Sequence, residues 1–185
     1  MTYLILPGLG DSGPDHWQSY WLKNFPNAVK LIQDDWDEPK LDIWLDRLNE
    51  TLDTIQSPVI LIAHSLAVSL VLHWDKNRGS ANHKVVGALL VSPTDVESDD
   101  HVPATIRHFA PMPIHKLPFP AIVVASEDDP FVDMERAIYF GSKWGAELVN
   151  IGNNGHINSE TKLAFWEEGQ EILKKLINKI KWRKI

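Results

Sequence analysis

Pro58-Val-Ile-Leu-Ile-Ala-His-Ser-Leu-Ala-Val-Ser-Leu-Val-Leu-His73 is the stretch that decides how this chain folds. A continuous apolar run ends at the pair His64-Ser65, and a pattern of small and apolar residues with helical spacing begins at once beyond it. That junction reads as a buried strand turning sharply into a helix, with a serine hydroxyl held at the bend. Such a turn lifts the hydroxyl above the strand ends and aims the N–H groups of the helix start at whatever the serine attacks. Elbows of this kind usually carry glycine two residues before and two after the serine, whereas here Ala63 and Ala67 stand there. Strand and helix backbones nearly touch at those positions, and a methyl group is the smallest intrusion a side chain can make. Taken alone, the segment also reads as a buried strand that happens to end in serine.

Strand and helix patterns alternate on either side of it. Strands are predicted at Tyr3–Leu6, Val29–Ile32, Val59–Ala63, Val85–Val91, Ala121–Ala125 and Glu147–Ile151, mostly rich in Val, Ile and Leu as for parallel strands buried on both faces. Helices are predicted at His16–Asn24, Leu41–Ile55, Leu66–Asn77, Met134–Trp144 and Leu163–Ile180. Alternation with right-handed crossovers implies an α/β fold, a doubly wound parallel sheet flanked by helices. No repeat or linker interrupts it, so residues 1–185 are read as one domain. From Ser92 to Pro120 the pattern lapses into a proline-rich wrap, with a short helical turn expected at Ala104–Phe109. His101, His108 and His115 recur in this wrap, but its prolines prevent a helix that would align them as metal ligands.

Composition narrows the function classes. There is no cysteine in the 185 residues, which removes disulfides, thiolate metal sites and a cysteine nucleophile together. A net charge of −7 argues against nucleic acid as a partner. No apolar run approaches the ~20 residues that span a bilayer, and the N-terminus lacks a secretory pattern, so membrane insertion is not expected and the expected location is the cytoplasm. Lys174, Lys175, Lys179, Lys181, Arg183 and Lys184 crowd the C-terminus, where they complement a helix dipole as a solvated terminal turn. Among eight tryptophans, Trp17 and Trp21 form an i, i+4 pair on one helix face.

Ligands of doubly wound sheets lie at the C-terminal ends of the strands. Those ends carry Pro7-Gly-Leu-Gly-Asp-Ser-Gly-Pro14, Ser65, Ser92-Pro-Thr-Asp95, Ser126-Glu-Asp-Asp-Pro130 and Gly152-Asn-Asn-Gly-His156. A serine, an acid and a histidine thus appear in the order of the α/β-hydrolase triad, each following its own strand, the third, fifth and sixth. Serine is a poor nucleophile until a base takes its proton, and a histidine titrating near neutrality suits that task at His156. A carboxylate must then fix the imidazole tautomer. Asp129 is placed for it, directly before Pro130, while Asp128 and Asp95 remain alternatives. Backbone N–H groups of Leu66 and Leu9 are expected to form an oxyanion hole, with Gly8 and Gly10 letting that loop approach. Without a GxGxxG or Gly-Lys-Ser/Thr pattern, the loop does not read as a nucleotide cradle. Ser12-Gly-Pro-Asp15 reads as a capping box for the first helix. Pocket candidates are His16, Gly8, Gly10 and Asp95; His64, on the strand before the nucleophile, reads as structural.

Over nearly its whole length the chain resembles the small cap-less serine hydrolases related to retinoblastoma-binding protein 9. The resemblance rests on Leu6-Pro-Gly-Leu-Gly-Asp-Ser-Gly-Pro-Asp-His-Trp17, Ala63-His-Ser-Leu-Ala67, Leu117-Pro-Phe-Pro-Ala-Ile-Val-Val-Ala-Ser126 with Asp129-Pro130, and Gly155-His-Ile-Asn158. It implies six parallel strands in the order 2-1-3-4-5-6, and it places the family's serine, acid and histidine on Ser65, Asp129 and His156. It also implies hydrolysis of small esters. The alanines beside Ser65 depart from the family's glycines and predict a tighter elbow with slower acylation. The wrap stands where larger hydrolases insert a lid domain, which predicts an open or shallow pocket. The expected function is cleavage of a small-molecule carboxylic ester or thioester through an acyl-serine, with no metal and no cofactor. The competing expectation is a ligand- or protein-binding module on the same scaffold. Neither the acyl group nor the oligomeric state is written in any of these motifs.

Overall fold

The computed structural model describes residues 1–77 and 83–182. Its elements run β1 (Thr2–Leu6), α1 (Trp17–Asn24), β2 (Ala28–Lys30), α2 (Leu41–Thr54), β3 (Val59–His64), α3 (Leu66–Asn77), β4 (Val85–Val91), β5 (Ala121–Ala125), α4 (Met134–Trp144), β6 (Glu147–Asn150) and α5 (Glu167–Trp182). All neighbouring strands pair in parallel, in the order β2-β1-β3-β4-β5-β6. The period-2 alternation of a strand sends successive side chains to opposite faces, and β3 shows it directly. Val59, Leu61 and Ala63 join a core built from α2, α3 and α4, while Ile60 and Ile62 join a second core built from α1 and α5. This is the doubly wound architecture expected from the sequence.

Only the central strands are buried on both faces. The edge strands β2 and β6 are half-exposed, so their Val and Leu content overstates their burial. β2 also starts and ends earlier than the pattern suggested, and Ile32 emerges 60% exposed beyond it. The last helix begins at Glu167 rather than Leu163, because Lys162, Ala164 and Trp166 adopt positive φ and cannot continue a helix. Trp166 instead folds back over α5, where a Cβ at Gly169 would lie 2.2 Å from its ring. Its indole completes a cluster with Trp17 and Trp21, whose rings meet at 4.8 Å.

Between β4 and β5 the chain carries one short 3₁₀ turn, Ala104–Phe109, within the wrap. The wrap is pinned to α3 by two histidines. His73 Nε2–H donates to the Phe109 carbonyl at 2.7 Å, and His115 Nε2 meets the buried Asp75 carboxylate at 2.6 Å. His101 turns elsewhere, toward the Pro130 carbonyl and Asp133. At the C-terminus the lysines are not all free in solvent as expected: Lys175 and Lys179 both pair with Glu147, tying α5 to β6. Arg183 and Lys184 lie outside the described residues. Among the described residues, no helix is long and apolar enough to cross a membrane.

Candidate active site

The elbow forms despite its alanines. Ser65 takes φ 59°, in the left-handed region, and its N–H donates to the Val91 carbonyl at 3.0 Å. A non-glycine residue there stores strain, of the order of 1–3 kcal/mol, that the flanking strand and helix must hold in place. The close approach predicted for the first loop is made by Gly8. A Cβ at that position would sit 2.8 Å from Ser65 Cβ, 3.0 Å from the His64 carbonyl and 3.2 Å from the Leu66 nitrogen. Gly10 serves a different purpose: it takes φ +73° in a turn and donates its N–H to the Trp36 carbonyl.

Above the sheet, Ser65 Oγ lies 2.7 Å from His156 Nε2, and His156 Nδ1 lies 2.8 and 3.0 Å from the two oxygens of Asp129. The Asp129 carboxylate is wholly buried and the imidazole nearly so. An ionised carboxylate only accepts hydrogen bonds, so the imidazole donates Nδ1–H to it and keeps its Nε2 lone pair for the serine proton. Of the three candidate acids, Asp129 alone reaches the histidine. Asp128 instead accepts from Ser126 Oγ–H and the Gly155 N–H, each at 2.8 Å, and so braces the loop that carries His156. Those bonds hold its carboxyl below the usual carboxylate range.

Asp95 is not on the cavity wall, contrary to expectation. Arg136 takes its carboxylate in a two-point grip at 2.7 and 3.0 Å, because a buried acid at the end of β4 requires a cationic partner. Gly8 and Gly10 likewise do not line the cavity. The cavity, about 240 Å³, is lined by Leu9, Asp11, His16, His64, Ser65, Leu66, Thr94, Pro103, Ile106, Phe131, His156, Asn158 and Ser159. Leu9 and Leu66, whose N–H groups were expected to face an oxyanion, are therefore on its wall, beside the serine.

His16 lines the cavity as expected and also does what Ser12-Gly-Pro-Asp15 was expected to do. It is the N-cap of α1, its Nδ1 accepting from the Gln18 N–H at 3.2 Å. Ser12 Oγ–H instead donates to Gln18 Oε1, and Gln18 Nε2–H reaches the carbonyls of Leu6 and Ile62 where β1 and β3 end. His16 Nε2 is buried with no hydrogen-bond partner among the described residues, and burial with nearby His156 lowers this histidine to about 4. His64 is structural, but its role is bound to the site. Burial keeps it neutral, well below the ordinary histidine range, and its Nε2–H donates to the His156 carbonyl at 2.9 Å. The residue before the serine thereby holds the loop of the distant histidine.

Three contributors carry no site signal in the sequence, where Trp17 reads only as half of a helix-face pair. Thr94 Oγ1 lies 3.0 Å from Ser65 Oγ, Phe131 packs its ring on His156 at 4.5 Å, and Trp17 Nε1–H holds the Ile157 carbonyl at 2.8 Å. Thr94 lies within the strand-end stretch Ser92-Pro-Thr-Asp95, where Asp95 is the residue whose chemistry stands out. Among the described residues, no group of three or more His, Cys, Asp or Glu is arranged to hold a metal ion.

A family model described as Serine hydrolase matches residues 3–175. Among solved structures, one described as a YdeN-like hydrolase from Pectobacterium atrosepticum is 31% identical, with a TM-score of 0.82 over 97% of this chain and 91% of that one. The ydeN gene product of B. subtilis superposes with a TM-score of 0.74 at 20% identity, covering 96% of this chain and 99% of that one. Est1E from Butyrivibrio proteoclasticus, in a structure with ferulic acid bound, shares the fold at a TM-score of 0.70 and 13% identity, covering 97% and 90%. No curated protein matches the chain. A family match over nearly the full length, on a sheet of this order, places the chain in the serine hydrolase family, with the α/β-hydrolase fold.

Proposed function

We propose that this protein hydrolyses small carboxylic esters or thioesters through an acyl-Ser65 intermediate. The observation that carries the reading is the unbroken line from Ser65 Oγ through the His156 ring to Asp129, every link at 3.0 Å or less. As Oγ attacks the carbonyl carbon, its proton passes to His156 Nε2, and Asp129 stabilises the imidazolium across Nδ1–H. Negative charge builds on the carbonyl oxygen, where the N–H groups of Leu66 and Leu9 receive it; one such donor is worth about 3 kcal/mol. His156 returns the proton to the leaving oxygen or sulfur, and the alcohol or thiol departs. Water then repeats the sequence on the acyl-serine and releases the acid. No metal or cofactor is needed for any of these steps.

The cavity of about 240 Å³ holds roughly eight water volumes and lies below the usual range for drug-sized ligands. Its apolar wall of Ile106, Pro103 and Phe131 suits short acyl chains. We place the enzyme in the cap-less branch related to retinoblastoma-binding protein 9, on the strength of the loop Leu6–Trp17, and read the whole chain as one catalytic domain acting in the cytoplasm. A fluorophosphonate probe is expected to label wild type at Ser65 and to leave Ser65→Ala unlabelled. Among p-nitrophenyl esters of graded length, the shortest are expected to turn over best. A folded wild type that neither takes the probe nor turns over any of these esters would return the protein to the binding-module reading.

A further inference from the structure

We propose that Thr94 is a catalytic residue, whose hydroxyl donates to Ser65 Oγ and acts chiefly when the acyl group is released. The inference rests on the hydrolase reading above and deepens it. Proton counting fixes the direction of the bond. Asp129 accepts from His156 Nδ1–H, so His156 Nε2 offers a lone pair, and the single proton of Ser65 Oγ must point to it. The 3.0 Å contact between Oγ and Thr94 Oγ1 then has one possible donor, the threonine.

Thr94 is buried, 2% exposed, and held on a braced platform. The next residue, Asp95, donates its N–H to the Phe131 carbonyl at 2.9 Å, and its carboxylate is gripped by Arg136. Arg136 in turn stacks on the Phe140 ring at 4.5 Å. The Asp95–Arg136 pair, its acid buried and its guanidinium partly exposed, does not reach the cavity but thus acquires a purpose: it fixes the strand end from which Thr94 points at the nucleophile.

Only an interaction that strengthens between ground and transition state accelerates a step. In acylation the free hydroxyl of Ser65 already accepts from Thr94, so the bond changes little as attack begins. Deacylation starts from an ester oxygen, a weaker acceptor. Water adds to the acyl carbon and gives its proton to His156; the C–Oγ bond then breaks, its electron pair goes to Oγ, and His156 returns the proton there. As Oγ leaves it gains negative charge, and the Thr94 donor strengthens. The threonine should therefore speed breakdown of the acyl-enzyme more than its formation.

The test uses p-nitrophenyl acetate with the full-length protein and its variants Thr94→Val, Thr94→Ala and Thr94→Ser. Wild-type labelling by fluorophosphonate first establishes that Ser65 is active. Thr94→Val is expected to lower kcat about tenfold, the usual scale for losing one hydrogen bond to an oxygen gaining charge. KM should fall with kcat, because the acyl-enzyme accumulates, and kcat/KM should move less. A burst of p-nitrophenol and a trapped acetyl adduct on Ser65 by mass spectrometry should accompany it, and Thr94→Ser should restore turnover. A role in packing alone would instead lower kcat/KM and the labelling rate together, with no burst. That pattern, or unchanged kcat in both Thr94→Val and Thr94→Ala, overturns the assignment while leaving the hydrolase reading intact. A wild type that neither labels nor turns over removes both.

Discussion

Gly8→Ala gives the sharpest test of the proposed oxyanion geometry, because the added methyl group has nowhere to go. It would meet Ser65 Cβ at 2.8 Å and two backbone atoms at 3.0 and 3.2 Å, all on the elbow and none on a flexible side-chain end. Ordinary contact begins at 3.4 Å, so the first loop and the elbow must part by about 0.6 Å. Leu9 N–H and Leu66 N–H lie on opposite sides of that gap. Their aim at a common oxygen would be spoiled, and losing one such donor costs about 10²–10³ in kcat. Overpacking of this kind costs about 1–3 kcal/mol of stability, or roughly 2–12 °C in Tm for a chain of this size. The assay is p-nitrophenyl acetate turnover alongside thermal unfolding. Gly13→Ala is the control, in the same loop but with open space around its Cβ. A folded Gly8→Ala enzyme within threefold of wild type would refute the reasoning, since the oxyanion would then not depend on this loop's approach.

Three further outcomes are expected. Asp129→Asn should lower kcat by about 10⁴ by leaving the imidazole without its anion, whereas Asp128→Asn, which only loosens the histidine loop, should lower it far less; equal losses would contradict the assignment of the acid. Trp17→Ala should destabilise the protein by about 3–5 kcal/mol in urea, because a wholly buried ring and the hydrogen bond to Ile157 are lost together; a loss under 1 kcal/mol would show the tryptophan cluster collapsing to fill the space. Acid should weaken the fold through the buried neutral histidines. His16 falls to about 4 in the folded state against 6.5 in the open chain, so between those values the unfolded state binds more protons. Stability is therefore full above pH 6.5 and declines as the pH falls toward 4, by about 3 kcal/mol from this group, with His64 and His73 acting in the same direction. Urea unfolding of His16→Asn, which keeps a capping acceptor but does not titrate, should show a shallower decline; an identical pH dependence would refute the assignment.

The central fold was legible because buried parallel strands leave an unmistakable signature. β3, β4 and β5 are runs of Val, Ile, Leu and Ala, broken only by Gly87 in β4 and closed by His64 in β3, and their ends fall within a residue of expectation. The edges were less legible for the same reason: β2 and β6 use similar residues on half-exposed strands, so hydrophobicity no longer fixes their ends. α5 starts later than Leu163 because left-handed Ala164 and Trp166 interrupt the chain there, with no glycine in the sequence to announce the break. In the site, the residues that titrate or attack follow strand ends and could be read from topology. Thr94 could not, since a hydroxyl beside an aspartate carries no pattern of its own and matters only through its distance to Oγ.

The elbow shows why a motif can fail in letters and hold in physics. The pattern Gly-x-Ser-x-Gly encodes a demand for small volume where strand meets helix, and Ala63 and Ala67 satisfy it, both wholly buried in one core cluster. Ser65, at φ 59°, is the elbow residue that takes the left-handed conformation, so glycine's freedom is not needed on either side of it. The requirement for a missing Cβ falls on the facing loop, at Gly8, between the two proposed oxyanion donors. If slower acylation does follow from the alanines, replacing both with glycine should raise the rate of Ser65 phosphonylation, while the same change should lower stability by roughly 1 kcal/mol at Ala67, inside a helix. No gain in phosphonylation would mean that the methyl groups are already accommodated, and that the contact between Gly8 and Ser65 sets the geometry of attack.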